Sequence, residues 1–484
     1  MADICVVYLS EDEAIVNRLV ACLRQDWTVW WAPDLTHGDW DQAVRNEIRN
    51  SRAVVPVLSQ HVKGERTTII KDEMRFARIE KKPIFPFLIG SADVPLGFGD
   101  LTHTEALGWA GDEGHPGYQK LKAKIVATIG NGHRIPDAMA RPRELKVREK
   151  TLRLPAFVFS LSSHETQVTP REGATLLRLL EPDAALVSAY DAWQYRNDRA
   201  KPTLRSSVEE LRRSATVLFL DSGNYEAYRK NDSYSSRRNP KGWQVPLFRK
   251  MAAGASPDLG FSFDDVRPKG EPARIADRIV AGFRADERAL GRAFPLCPVV
   301  HLPSAEDRTI ASLAPKIVSS VAAATDPIMV AIPERELGDG LLERARTVRA
   351  IREALNAIGK YYPLHLLGTG NPVSMIALAA AGADGFDGLE WCRTVADYAT
   401  GFLFHFQQFD CFVQTHLHRI QDQKIRRLVE NPVVSYAMRT LSYNVDFFKD
   451  WTRTMQSMIH SGQAETLLKM VPGIGPALFK VLSE

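Results

Sequence analysis

From about residue 153 the chain repeats one pattern: a short apolar, β-rich run followed by a segment of helical length and period. Eight such runs occur: AFVFSL, AALVSAY, TVLFLDSG, DLGFSFDD, CPVVHLP, PIMVAIPE, PLHLLGTG and GFDGLEW. Segments between them, such as LLERARTVRAIREALNAIG, space their apolar residues as a helix does. Strands that read as continuous apolar runs are buried on both faces, which calls for crossover helices and a parallel sheet. Eight β/α units over about 250 residues is the count that closes a (β/α)8 barrel. Functional side chains of such barrels gather at the carboxyl ends of the strands. Asp221, Asp264, Asp265, His301, Glu334, Gly368 and Asp387 all fall there. Asp221 and Asp387 are therefore expected in one mouth, and two carboxylates in one pocket suit chemistry at an anomeric carbon.

Residues 1 to about 130 alternate strand and helix signals on a smaller scale. ICVVYL, WTVWW, SRAVVPVLS and KPIFPFLI read as four strands, with helices through EAIVNRLVACL, WDQAVRNEIRN and Glu73. A parallel, doubly wound sheet follows, with ligands expected at the carboxyl ends of its strands. Residues 131–152 are rich in Pro, Gly and basic side chains and read as a linker, helical in part. The barrel is expected over 153–395 and a helical region over 396–484. Within that region, LLKMVPGIGPALFKVL at 467–482 reads as a helix-hairpin-helix or as an ordinary helix turn, and His405, His416 and His418 read as core or interface histidines.

Composition excludes several classes. The net charge is +4, which permits nucleic-acid contact without arguing for it. None of the five cysteines forms a CxxC pair, so neither a zinc ribbon nor a disulfide framework is indicated. The start, MADICVVYLSEDE, lacks the features of a signal peptide, and no apolar run reaches the ~18 residues of a membrane span. The expectation is a cytoplasmic protein without membrane attachment. The tract YRKNDSYSSRRNPKGW, 228–243, interleaves basic residues with Tyr228, Tyr234 and Trp243. It reads either as a polyanion contact, with aromatics stacking on bases, or as a surface loop.

The tracts VVYLSEDEAIVNRLVACL and VWWAPDLTHGDWDQAVRNEIRNSRAVVPVLS, followed by a helix with DEMRFA, resemble a TIR domain. The resemblance implies a flavodoxin-like fold and, in the enzymes of the family, cleavage of NAD at the nicotinamide–ribose bond. Glu73 matches the glutamate that carries that chemistry. Loss of nicotinamide leaves positive charge on the ribose, and a nearby carboxylate stabilises it. Tyr8, Ser10, Trp31, Asp34 and Gly38 would line the same cleft and contact NAD. One of the adjacent Trp30 and Trp31 belongs to the core, because neighbouring strand residues face opposite sides. Outside the resemblance, Glu73 reads as a solvated helix carboxylate paired with Arg66 or Lys71.

FLDSGNYE, FSFDDV and HLLGTGNPVSMIALAAAGADGFDG resemble the tRNA-guanine transglycosylases, a family that includes DNA-modifying relatives inserting 7-deazaguanines. The resemblance implies Asp387 as nucleophile and Asp221 as its acid/base partner. Asp264 or Asp265, with Gly368 and Gly370, would bind the base. The family's Cys-x-Cys-x-x-Cys zinc site is absent, and Cys392 and Cys411 are too far apart to replace it, so no metal is expected. Gly-Gly-Phe-Gln is replaced by Gly223, Asn224, Tyr225 and Glu226, the sixth strand ends in AIPERELG, and GLEWCR follows the nucleophile. Base recognition is therefore expected to differ from the family's. The fold class is α/β: a TIR domain, a TIM (β/α)8 barrel and a helical tail. The function expected is NAD hydrolysis in a bacterial anti-phage response, with homo-oligomers forming through the TIR domains. A nucleic acid or nucleoside-like trigger would be read by the barrel. The alternatives are base exchange on DNA or tRNA with a regulatory TIR domain, and a scaffold in which the TIR domain is an adaptor without chemistry.

Overall fold

The computed structural model describes residues 2–31, 40–64, 66–91, 94–129, 141–163, 166–197, 199, 201–225, 242–291, 293–305 and 308–483. The chain divides into two compact units, Met1–Pro136 and Asp137–Leu482.

The first unit runs β1 (Ile4–Val7), α1 (Glu13–Leu23), β2 (Val29–Trp30), α2 (Trp40–Asn50), β3 (Ala53–Leu58), α3 (Arg66–Ile79), β4 (Phe87–Leu88), β5 (Thr104–Glu105) and α4 (Pro116–Ile129). The strands form one parallel sheet ordered β2-β1-β3-β4-β5. The expected fourth strand shrinks to two residues because Pro83 and Pro86 offer no N–H to the ladder. Alternation along the strands sorts the two faces. Ile4, Val6, Val29, Trp31 and Val55 pack with α1 and α4, while Cys5, Val7, Val54 and Trp30 pack with Ile48 of α2 and Ala77 of α3.

The second unit opens on an antiparallel hairpin, β6 (Glu144–Val147) and β7 (Lys150–Arg153). These residues were assigned above to a partly helical linker. Val147 and Leu152 are buried with the inward-facing residues of the barrel, so the hairpin closes its amino-terminal end. Lys150 Nζ fixes it there, donating to Arg212 O, Thr216 O and Asp258 Oδ2 at 2.6, 2.6 and 2.7 Å.

Eight parallel strands follow: β8 (Ala156–Leu161), β9 (Ala184–Ser188), β10 (Val217–Asp221), β11 (Leu259–Phe261), β12 (Leu296–Cys297), β15 (Val330–Pro333), β16 (Leu364–Leu367) and β17 (Gly385–Gly388). A small hairpin, β13 (Ser304–Ala305) and β14 (Arg308–Thr309), interrupts the numbering. Each barrel strand lies within one of the eight sequence runs, or within one residue of it. The ladder runs β12-β11-β10-β9-β8-β17-β16-β15. Only a single bridge, Val299 to Ala331, joins its two edges, so the barrel is nearly closed. Pro298 sits at that seam and can accept from Ala331 N but cannot donate. The outer helices are α5 (Pro170–Leu180), α6 (Ala189–Gln194), α7 (Leu204–Arg213), α8 (Val245–Ala255), α9 (Pro272–Leu290), α10 (Ala314–Thr325), α11 (Gly340–Asn356) and α12 (Pro372–Ala381). Helix α5 starts on a capping box: Thr169 Oγ1 accepts from Glu172 N, and Thr169 N donates to Glu172 Oε2.

After the β18 (Thr394–Ala396) and β19 (Leu403–His405) hairpin come α13 (Phe409–His416), α14 (Gln423–Glu430) and the 25-residue α15 (Tyr436–His460). Helix α15 lies against β8: Phe448 stacks on Phe157 at 4.5 Å, and Gln456 Nε2 donates to Pro155 O at 3.0 Å. The tail is thus part of the barrel unit's packing. His416 is buried against Asp397 at 2.8 Å, whereas His405 and His418 are exposed. Residues 464–483 form two short helices, α16 (Ala464–Lys469) and α17 (Gly475–Ser483), joined by a turn with Gly473 at φ +76°. No helix among the described residues is long and apolar enough to cross a membrane.

Candidate functional sites

In the first unit Glu73 lies mid-way along α3 and is half-buried. Its charge reaches the buried thiol of Cys5 on β1. Burial first, and then Glu73 and Glu47, hold that thiol well above the ordinary range. Glu47 of α2 therefore shares the neighbourhood of Glu73, and the sequence reading missed it. Trp30 is the cross-strand partner of Cys5 and packs on the same face. Trp31, named from sequence for the NAD cleft, is 7% exposed and sits on the opposite face beside Tyr8, ring centroids 5.7 Å apart. Adjacent residues face opposite sides, so Trp30 and not Trp31 shares the face of Cys5 and of Ala77 on α3. Ser10 is exposed and bonds Glu11, and Glu11 pairs with Arg66, one of the residues weighed as a partner for Glu73. Asp34 and Gly38 lie outside the described residues. The carboxyl end of β3 is tied to the start of α1 through Asp12, which accepts from Ser59 Oγ at 2.6 Å and bonds His61 Nδ1 at 2.8 Å.

In the barrel, period-2 counting explains the site. Inward residues Val158, Phe219, Val299, Ala331 and His365 are each followed two positions later by Ser160, Asp221, His301, Pro333 and Leu367. These five line a cavity of about 280 Å³ at the carboxyl ends of the strands. Asp264, Asp387, Glu390, Tyr225, Arg335 and Arg393 complete its chemistry.

Asp387 is held from three sides. Ser160 Oγ donates to Oδ2 at 2.8 Å, and Gly368 N donates to Oδ1 at 3.1 Å. His365 Nε2 lies 3.1 Å from Oδ1. His365 is fully buried between Phe219 and Phe261, and its Nδ1 has no hydrogen-bond partner. The neutral tautomer with the proton on Nε2, donating to Asp387, fits that arrangement. Gly368 takes φ +76°, a left-handed backbone that aims its N–H at the carboxylate.

Asp221 faces the same cavity from β10. Burial, then the charge of Asp264, and further on that of Asp387, push its carboxyl up to about 7. Gly223 N donates to Asp221 Oδ2 at 2.9 Å. Gly223 has φ +70°, and a Cβ there would collide with Tyr190. Asp264 behaves oppositely. Burial works against its charge, but bonds from His301 and Ser222 keep it below the usual carboxylate range. His301 bridges two acids, with Nε2 at 2.8 Å from Asp264 Oδ2 and Nδ1 at 2.6 Å from Glu336 Oε1. Burial disfavours its charge, yet the two carboxylates raise it to about 10. The pocket thus holds one acid that carries its proton near neutrality and one that stays ionised, the split that acid/base chemistry needs.

Of the residues named from sequence, Asp221, Asp264, His301, Gly368 and Asp387 come together. Asp265 is exposed and turned to Arg267 N and Arg278. Glu334 pairs with Arg344 at 2.7 Å and is not part of the cavity wall. Gly370 packs its backbone against Gly388. Trp243 is 4% exposed, donates to Ser222 O at 3.1 Å and packs on Tyr190 and Trp193. It is a core residue and not a platform for bases. Residues 228–241 of that tract lie outside the described residues. Cys392 is buried and Cys411 exposed, and no three acidic, His or Cys side chains among the described residues gather to hold a metal. Ser160, His365, Glu336 and Glu390 were missed, although counting by twos from inward Val158 along AFVFSL would have found Ser160.

Residues 4–121 match the TIR domain family, and the first unit is a TIR domain. No curated protein matches the chain.

Proposed function

We propose that the TIR unit hydrolyses NAD at the nicotinamide–ribose bond, with Glu73 as the stabilising carboxylate. The observation that carries this is Glu73 itself: a half-buried glutamate on the helix after the third strand of a TIR sheet, grouped with Trp30 and Glu47. Carboxylates placed there stabilise charge developing on the ribose as nicotinamide leaves. The barrel pocket is the sensor, taking a nucleoside-like or nucleic-acid ligand, and the setting is a bacterial response to phage in which TIR units associate. The test is NAD consumption by the full chain beside Glu73→Ala, with and without nucleic acid from infected cells. Consumption by the wild type alone supports the reading, and equal consumption by both proteins sinks it.

A second reading has its own observation. Asp387, held by three donors, stands near an acid that carries its proton near pH 7, which suits base exchange. Asp387 would attack C1′ and break the C1′–N bond, while Asp221 gives its proton to the departing base. An incoming base would then return a proton to Asp221 and displace Asp387. Incorporation of labelled base that survives Asp387→Ala would rule this out.

A further inference from the structure

We infer that the barrel pocket takes a riboside and that Glu390 reads its 2′-hydroxyl. This rests on the readings above that the pocket holds a nucleoside-like ligand and that Asp387 faces its C1′. Glu390 lies one turn past Asp387 and lines the same cavity. Its Oε2 is buried with no hydrogen-bond partner. Native structures rarely leave a buried carboxyl oxygen unmatched, and a ligand hydroxyl would satisfy it. The space around that oxygen is made by backbone: a Cβ on either Gly370 or Gly388 would collide with it. On the adjoining turn Thr369 Oγ1 is buried and likewise without a partner. Thr369 follows Gly368, whose N–H holds Asp387, and of the two unmatched oxygens it is Glu390's side chain that lines the cavity.

The place of Glu390 beside Asp387 fixes which ligand group it meets. A carboxylate that displaces the base of a β-nucleoside approaches the sugar face opposite that base. Ribose carries its 2′- and 3′-hydroxyls on this face, and the 2′-hydroxyl adjoins C1′. Asp387 and Glu390 are close enough for their charges to interact. Burial, and further on the charge of Asp387, raises the Glu390 carboxyl above its ordinary range, and its unmatched Oε2 is an acceptor for a hydroxyl. A 2′-deoxyriboside would leave Glu390 Oε2 as it is now, buried and unmatched.

The experiment is calorimetric titration of the full chain. One arm uses the four ribonucleosides and their 2′-deoxy counterparts. The other uses an RNA and a DNA oligonucleotide of one sequence, which separates a free nucleoside from a polymer as the source. In at least one arm the ribo form should bind at least about tenfold tighter than the deoxy form. Glu390→Gln should cut that ratio below about threefold by weakening the ribo form alone. Gly370→Ala, which keeps the carboxyl but displaces it, should do the same, and circular dichroism checks that both variants are folded. A wild-type ratio near one, or a ratio unchanged in both variants, overturns the assignment of Glu390 and leaves the nucleoside reading standing. Absence of binding in every arm overturns the nucleoside reading itself, and this inference with it.

Discussion

His301 is charged because of its neighbours, and its linkage to stability has a definite sign. Its folded value of about 10 lies above the ordinary histidine value of 6.5. Its contribution is therefore complete below about pH 6.5 and is lost as pH rises through 10. The thermal midpoint of the protein should fall between pH 8 and 10, and His301→Gln should flatten that slope while lowering stability at pH 7. A slope unchanged in the variant would place the titration elsewhere. Asp221 is also raised, to about 7, so its protonated form favours the fold. That contribution is full below the ordinary aspartate value and is lost as pH rises through 7. Asp221→Asn should thus raise the midpoint at pH 8 relative to the wild type and leave it nearly unchanged at pH 4. Any reaction that uses Asp221 as acid should fade above pH 7, read from a pH–rate profile.

The element most dependent on charge is the amino-terminal end of β17. Asp384, fully buried, accepts from Arg141 Nε and Arg352 Nη2 at 2.7 Å each, from Tyr361 Oη at 2.8 Å and from Leu364 N at 2.9 Å. Asp384→Ala leaves two buried guanidiniums without their acid and should cost about 3–5 kcal/mol, measured by denaturant unfolding. A loss under about 1 kcal/mol would mean that water replaces the carboxylate. The eight barrel strands were legible because doubly buried strands announce themselves as apolar runs. The hairpin at 144–153 was not, because Lys146, Lys150 and Arg153 mask the alternation of Val147 and Leu152. In the site, Asp221, Asp264 and Asp387 were legible as acids after strands. His365 was not, because a histidine inside an apolar run shows no sign of which carboxylate it meets. Trp30 and Trp31 were not separable in sequence, because adjacent strand residues are known to face opposite sides but the sequence does not say which face is which.

At the scale of the whole molecule, the proposed functions place ribose chemistry in both units of one chain, and the sensor reading couples them. If the barrel pocket controls the TIR unit, changes deep in the barrel must alter NAD turnover without touching Glu73. Asp387→Ala removes a pocket carboxylate held by Ser160, His365 and Gly368 and should change the response to trigger while leaving the TIR domain folded. The expected outcome is loss of trigger-dependent NAD consumption, about tenfold or more, since a ligand shifts an equilibrium only by its differential affinity for the two states. Light scattering during the same reaction should show mass rising with activity in the wild type and staying constant in the variant. Turnover by a species that stays monomeric would remove assembly from the scheme. Full triggered turnover by Asp387→Ala would remove the pocket as its control, and base exchange would become the first activity to assay for the barrel.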